Sequence, residues 1–116
     1  MLEKKLIIKE KIIKLNYTNT FLKRLKGLMF KKEINQGLIF INKKPKNKYQ
    51  STIHTHFMKI NIDIIFLDEN MKLIDYTTLN PWKIYIPKKD EIKYIIELPQ
   101  NTIEKEELLK NKIKIE

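Results

Sequence analysis

Ile62-Asp63-Ile64-Ile65-Phe66-Leu67 runs directly into Asp68-Glu69-Asn70-Met71 and then Lys72-Leu73-Ile74-Asp75-Tyr76. The first block is apolar on both faces of an extended chain, the pattern of a strand covered on both sides. The acidic, amide-bearing middle reads as a tight turn, with Asn70 available for a left-handed conformation. The third block reads as the returning arm of a hairpin. This hairpin sets the expectation of a β-rich domain with a doubly covered central strand.

Further strands appear on either side. Leu6 to Tyr17 alternates loosely and is rich in Ile, as in one strand or a bent pair of strands. Leu38-Ile39-Phe40-Ile41, Ile53 to Lys59, Tyr94-Ile95-Ile96-Glu97-Leu98 and Lys112-Ile113-Lys114-Ile115 follow, the last alternating strictly. Pro81 and Pro87 bracket a short edge-like segment, Trp82 to Ile86. Two short helices are expected. One follows the capping run Thr18-Asn19-Thr20 and carries Phe21, Leu25 and Leu28 on one face, with Gly27 at its exit. The other spans Asn101 to Leu109, with Asn101 as N-cap and Glu104 three residues on. Asn42 to Thr52 holds four lysines and no acid, and reads as a long loop. Strands without alternating long helices make the fold mainly β: one compact antiparallel barrel or sandwich over residues 1–116, with two short helices.

Composition narrows the chemistry. The chain of 116 residues has no Cys, which excludes disulfides, Cys-based zinc sites and a thiol nucleophile. Its two glycines exclude a Walker loop and a dinucleotide fingerprint. Ser51 is the only serine and sits in no nucleophile elbow. Asp63 and Asp68 fall on opposite faces of a regular strand, so they do not form a glycosidase pair. The first apolar run ends after three residues, at Ile8, which is too short for a secretory core or a membrane span. A cytoplasmic protein without a membrane partner is expected, in keeping with the absence of Cys.

The formal charge is +10. Arg24 stands alone beside 23 Lys, with 21 Ile, 10 Asn and no Ala or Val, a bias that an A+T-rich gene explains. The charge is nonetheless uneven. Residues 1–59 carry 15 basic and 3 acidic side chains, and residues 60–116 carry 9 and 11. Lys43, Lys44, Lys46 and Lys48, with Tyr49 beside them, suit weak, salt-sensitive contact with a nucleic-acid backbone. A solvated lysine face is the plainer explanation, and lysine lacks the bidentate geometry that arginine brings to phosphate.

His54, His56 and Met58 alternate, so one strand face would carry all three. Two imidazoles, with the thioether or Asp63, suit a soft or borderline transition metal. Otherwise His54 is a hydrogen-bonded structural histidine and Met58 fills the core. Asp63 lies within an apolar run and needs a partner there. Arg24, Lys59 and His54 are the candidates, and a structural Arg24–Asp63 pair is expected. His54 with Asp63 also has the groups for acid–base hydrolysis, so enzyme and binding module both stay open.

Four segments in order resemble one family. They are Arg24-Leu25-Lys26-Gly27-Leu28-Met29-Phe30; Gly37-Leu38-Ile39-Phe40; Ile53-His54-Thr55-His56-Phe57-Met58-Lys59 with Ile62 to Asp68; and Ile95-Ile96-Glu97-Leu98-Pro99. With Pro81-Trp82, they resemble the domain of unknown function 192 over about residues 18–116. The resemblance implies a compact β-rich domain and no assigned reaction or cofactor. It draws Arg24, Gly27, Met29, His54, Met58 and Asp63 together as a candidate pocket for a small ligand or a protein. Three positions depart from its pattern: His56 for an aromatic or apolar residue, Gln100-Asn101 for a glycine, and Asn111-Lys112 for Gly-Asp.

Overall fold

The computed structural model describes residues 3–18, 37–56 and 58–116. Nine strands run in chain order: β1 (Glu3–Ile8), β2 (Lys11–Thr18), β3 (Gly37–Lys46), β4 (Ile53–His54), β5 (Ile62–Leu67), β6 (Leu73–Leu79), β7 (Ile84–Tyr85), β8 (Ile92–Pro99) and β9 (Ile113–Ile115). One helix among the described residues, α1 (Lys105–Lys110), precedes β9. Seven strands form one sheet in the order β6-β5-β8-β3-β2-β1-β9, and β4 and β7 form a separate ribbon.

The deciding hairpin is present. β5 pairs antiparallel with β6 on one side and β8 on the other, and all six of its residues are buried. Alternation sends its side chains into two cores. Ile65 and Leu67 join Leu6, Ile8, Leu15, Ile39, Ile96, Leu98, Leu108 and Ile113 on one face. Ile62, Ile64 and Phe66 join Leu38, Ile53, Met58, Leu79, Ile92 and Ile95 on the other. Helix α1 supplies Leu108 to the first core, and the β4–β7 ribbon supplies Ile53 and Tyr85 to the second. Burying each large aliphatic or aromatic side chain contributes about 1.5–3 kcal/mol, so β5 and β8 gain from both sides.

Several expectations are corrected. The sheet is not closed into a barrel, because β6 and β9 are its two edges. It is mostly antiparallel, yet β2 and β3 pair parallel from Leu15 opposite Gly37 to Thr18 opposite Phe40. Of the two readings of Leu6 to Tyr17, the pair of strands holds: it is β1 and β2, turning at Lys9 with φ 56°. The lysine segment is a loop only in its second half, because β3 continues to Lys46 through a register shift that accommodates Pro45. In the 68–71 turn, Met71 rather than Asn70 takes the positive φ, at 65°. The Asp68 carboxylate accepts from the N–H groups of Asn70 and Lys72, which spreads the turn by one residue.

The C-terminal helix is shorter than expected and starts later. Glu104 is its N-cap, in a capping box with Glu107. Asn101 has φ 67°, left-handed, so it cannot take the extended backbone of an N-cap. Asn111 is extended, with φ −123°. Of the other expected helix, Thr18 is instead the last residue of β2, and residues 19–28 lie outside the described residues. Among the described residues, no helix is long and apolar enough to cross a membrane.

Candidate functional site

On β4, alternation turns Ile53 into the second core and leaves His54 half-buried on the outer side. The chain then leaves the strand at Thr55, which is 0 % exposed. Thr55 holds the turn that leads into β7. Its Oγ1 donates to Asn80 O at 2.7 Å and accepts from Lys83 N–H at 2.8 Å. Its own N–H donates to Lys83 O at 2.8 Å, and its carbonyl accepts from Trp82 N–H at 2.9 Å. Trp82 is thereby held at φ 65°. Left-handed backbone costs a bulky residue about 1–3 kcal/mol and persists only where neighbours over-determine it. These four bonds do so.

The result is a row of rings. The His54 and His56 centroids are 4.8 Å apart, and His56 stacks on Trp82 at 5.6 Å. The indole remains 60 % exposed, with Ile84 and Ile86 also exposed beside it. Such a row offers a flat apolar face with imidazole nitrogens at one end, suited to stacking and to hydrogen bonding at a ring edge.

The residues singled out from sequence do not meet in one place. Met58 fills the second core, 4 % exposed, away from the expected histidine face. Strand β4 ends at His54, so His54, His56 and Met58 share no strand. Asp63 turns to the first core, the face shared with Ile65, opposite the β4–β7 ribbon. One structural site therefore does not combine His54 with Asp63. Among the described residues, no third His, Asp or Glu joins the imidazole pair in a metal-sized cluster. Arg24, Gly27 and Met29 lie outside the described residues, and so does any Arg24–Asp63 pair.

Asp63 is 1 % exposed. It accepts from Thr78 Oγ1 at 2.6 Å and from Asn101 N–H at 2.9 Å. Nearby, Tyr76 O–H donates to Ile103 O at 3.1 Å. Burial, then the negative charge of Asp63, pushes the Tyr76 phenol up to about 12. On the other face, Asp75 accepts from Tyr85 O–H at 2.5 Å and from Lys88 N–H at 3.0 Å. Burial, then the bond to Asp75, pushes Tyr85 up to about 12 as well. The two carboxylates tie edge strand β6 to the 101–103 turn and to the ribbon.

Lys43, Lys44 and Lys46 are exposed on β3, and Lys48 follows it. Lys48 lies 5.3 Å from the Tyr49 ring centroid, and its backbone N–H donates to Asp90 Oδ1 at 2.8 Å. An acid thus stands inside this basic cluster.

The family model of domain of unknown function 192, described as "Uncharacterized ACR", matches residues 4–113. The chain belongs to this family. Its relatives include a UPF0127 protein of Pyrococcus horikoshii, 48 % identical over 82 residues, which are 71 % of this chain and 69 % of the relative. A UPF0127 protein of Pyrococcus furiosus is 40 % identical over 83 % of this chain and 80 % of its own length. A longer UPF0127 protein, from Thermococcus kodakarensis, is 39 % identical over 78 % of this chain but only 56 % of its own length. Two solved structures share the fold. A protein of unknown function from Novosphingobium aromaticivorans aligns with TM-score 0.75 at 18 % identity, over 99 % of this chain and 84 % of that one. A putative transcription regulator from Sinorhizobium meliloti aligns with TM-score 0.77 at 14 % identity, over 98 % and 91 %. The family is one of uncharacterised function, and none of these relatives carries a reaction over to this chain.

The sequence reading named the two histidines and passed over Trp82 as a functional group. The Pro81-Trp82 pair was the available signal. Proline presets the turn, and a large aromatic directly after it has few ways to be buried.

Proposed function

We propose that the chain is a binding module whose ligand stacks on the His56–Trp82 platform. The observation that carries this reading is the Thr55 clamp, which holds an exposed indole in left-handed backbone beside an imidazole. A purely structural turn would place a small residue there at lower cost. The ligand is a small molecule with a flat or apolar ring face. Trp82 is the only tryptophan, so its emission reports the site directly. Adenosine, cellobiose and indole are suitable probes. One of them should change the emission saturably, and calorimetry should lose that binding in Trp82→Ala. A linear response to all three, with no calorimetric signal, overturns the reading.

One distance favours a second use of the same surface. Imidazoles 4.8 Å apart can share a borderline or soft metal, with water completing the shell. Titration with Zn²⁺ and Cu⁺ tests it, and identical heats from wild type and His56→Ala reject it. Backbone contact with nucleic acid through Lys43, Lys44, Lys46 and Lys48 is supported by the exposure of the first three and by the contact of half-buried Lys48 with Tyr49. Anisotropy at two salt concentrations tests that reading, and equal affinities reject it. A cytoplasmic location is proposed on the absence of Cys alone.

A further inference from the structure

The open side of the sheet holds a groove of about 670 Å³ between the start of β6 and the α1–β9 segment. Its apolar lining includes Leu73, Leu109, Ile113 and Ile115, and its charged lining is Lys72, Lys112 and Lys114 with the single acid Glu116. Leu109 is 64 % exposed there. The backbone of β9 gives the groove a direction. Lys5 and Glu116 exchange both N–H···O bonds, at 2.7 and 2.9 Å. In the antiparallel register, Ile115 lies opposite Leu6 and Ile113 opposite Ile8. Both isoleucines therefore occupy non-hydrogen-bonded positions, with their N–H and C=O groups directed away from β1 toward the open edge. Among the described strands, none pairs with that edge.

We infer that this groove receives an extended segment of a partner protein in which acidic and apolar residues alternate, added as a strand to β9. Main-chain bonds to Ile113 and Ile115 set its register. Its acidic residues fall opposite Lys112 and Lys114, and its apolar residues continue the face of Ile113 and Ile115. A second copy of the chain is a poorer occupant in the register centred on Ile113. Antiparallel pairing of two β9 strands about Ile113 sets Lys112 of one against Lys114 of the other, the like-charge opposition that protects edges from self-association. The lysines thus disfavour self-pairing in that register, whereas pairing about Ile115 would set Lys114 against Glu116, and they favour an acidic strand. This inference is independent of the aromatic platform.

The test uses the full chain and a short fluorescein-labelled peptide alternating glutamate and isoleucine. Anisotropy should show saturable binding, weaker by about tenfold or more for a lysine–isoleucine peptide, because two cross-strand charge pairs are reversed. Methylating alternate peptide nitrogens should abolish binding. The surface variant Lys112→Glu/Lys114→Glu, checked for folding by circular dichroism, should reverse the charge preference, and Trp82→Ala should leave it unchanged. Equal affinity for both peptides, or indifference to N-methylation, overturns the inference. So does displacement by dodecanoate together with indifference to N-methylation, which would mark an amphiphile site. Dimerisation through β9, seen by sedimentation and lost in the double variant, would overturn it in favour of self-assembly.

Discussion

Thr55→Val separates the clamp from the packing it sits in. The substitution keeps the branched shape and removes Oγ1 from a site that is 0 % exposed. Its contacts are lost: the 2.8 Å acceptor for Lys83 N–H, and a hydroxyl donor shared between Asn80 O at 2.7 Å and, more weakly, Lys83 O at 3.3 Å. Each net hydrogen bond contributes about 1 kcal/mol, and a part-buried N–H left without an acceptor costs about 1–3 kcal/mol. Water can reach the Asn80 side, since Asn80 is exposed. The expected loss is therefore about 2 kcal/mol, or roughly 8 °C in Tm for a domain of this size. Thr55→Ser keeps the oxygen and should lose less than half as much. Scanning calorimetry measures both. Trp82 emission gives the second readout: without the Oγ1 bonds the turn relaxes from φ 65° and the indole leaves His56, so the emission should shift in Thr55→Val but not in Thr55→Ser. If Thr55→Val melts with wild type and keeps its emission, Thr55 does not hold the platform, and the argument for a positioned Trp82 fails with it.

Three further outcomes follow from other parts of the fold. Asp63→Asn should cost about 1–2 kcal/mol by chemical denaturation, because the amide keeps both partners, accepting from Asn101 N–H and donating to Thr78 Oγ1, but loses the extra strength of bonds to a charged carboxylate; an unchanged midpoint would mean that the carboxylate is not needed for stability. Gly37→Ala should destabilise by about 1–3 kcal/mol. Its Cβ would overlap Leu98 Cδ2 and lie 2.6 Å from Leu15 Cδ2 and 3.0 Å from Glu97 O, and the last is backbone that cannot swing aside; wild-type stability would show that the sheet yields there. Tyr76 and Tyr85, both pushed up to about 12, should make the protein lose stability in alkali. Unfolded tyrosine ionises near ~10, so the contribution is whole below that pH and lost as pH rises toward ~12. The slope is at most ~1.4 kcal/mol per pH unit for each phenol, less after solvent screening. Denaturation midpoints that stay flat between pH 9 and 12, as spaced by those ionisations, would contradict the burial of the phenols.

What could be read beforehand was local and periodic. The doubly apolar run at Ile62–Leu67 is a doubly covered strand because alternation alone assigns its two faces. What could not be read was decided by distant partners. Asn101 looks like an N-cap until Asp63 takes its N–H across 38 positions, which fixes a left-handed turn and delays the helix to Lys105. Ile53 to Lys59 looks like one strand until Thr55 is recruited to the 80–83 turn. Asp63 was expected to need a charged partner; among its described partners are a hydroxyl and a backbone N–H, neither visible in a local pattern. The same long-range logic put Met58 in the core and Trp82 on the surface.

The two faces of the sheet explain why the candidate surfaces lie apart. Strand β5 is buried throughout and β8 from Ile95 to Leu98, so binding there must come from what covers them or from where the cover stops. The ribbon is the cover on one face, and its outer side carries the His54, His56 and Trp82 rings. The cover stops at the β6 and β9 edges, where the groove opens. Asp63 and Asp75 act at the boundary between these regions: both brace β6, one through Thr78 and the 101 turn, the other through Tyr85 and Lys88. Two buried acids on the paired strands β5 and β6 would be costly without such bonds. Here they fix the strand that borders the groove to the ribbon that carries the rings. Weakening the Asp75–Tyr85 bond should therefore disturb the platform before it disturbs the core, since the ribbon reaches β6 through that phenol. Tyr85→Phe removes one hydroxyl and leaves its stacking on Phe66, 6.1 Å away, in place. It should alter Trp82 emission while costing only about 1–2 kcal/mol of global stability. A large fall in Tm with unchanged emission would instead make the dyad a part of the core and uncouple the ribbon from β6.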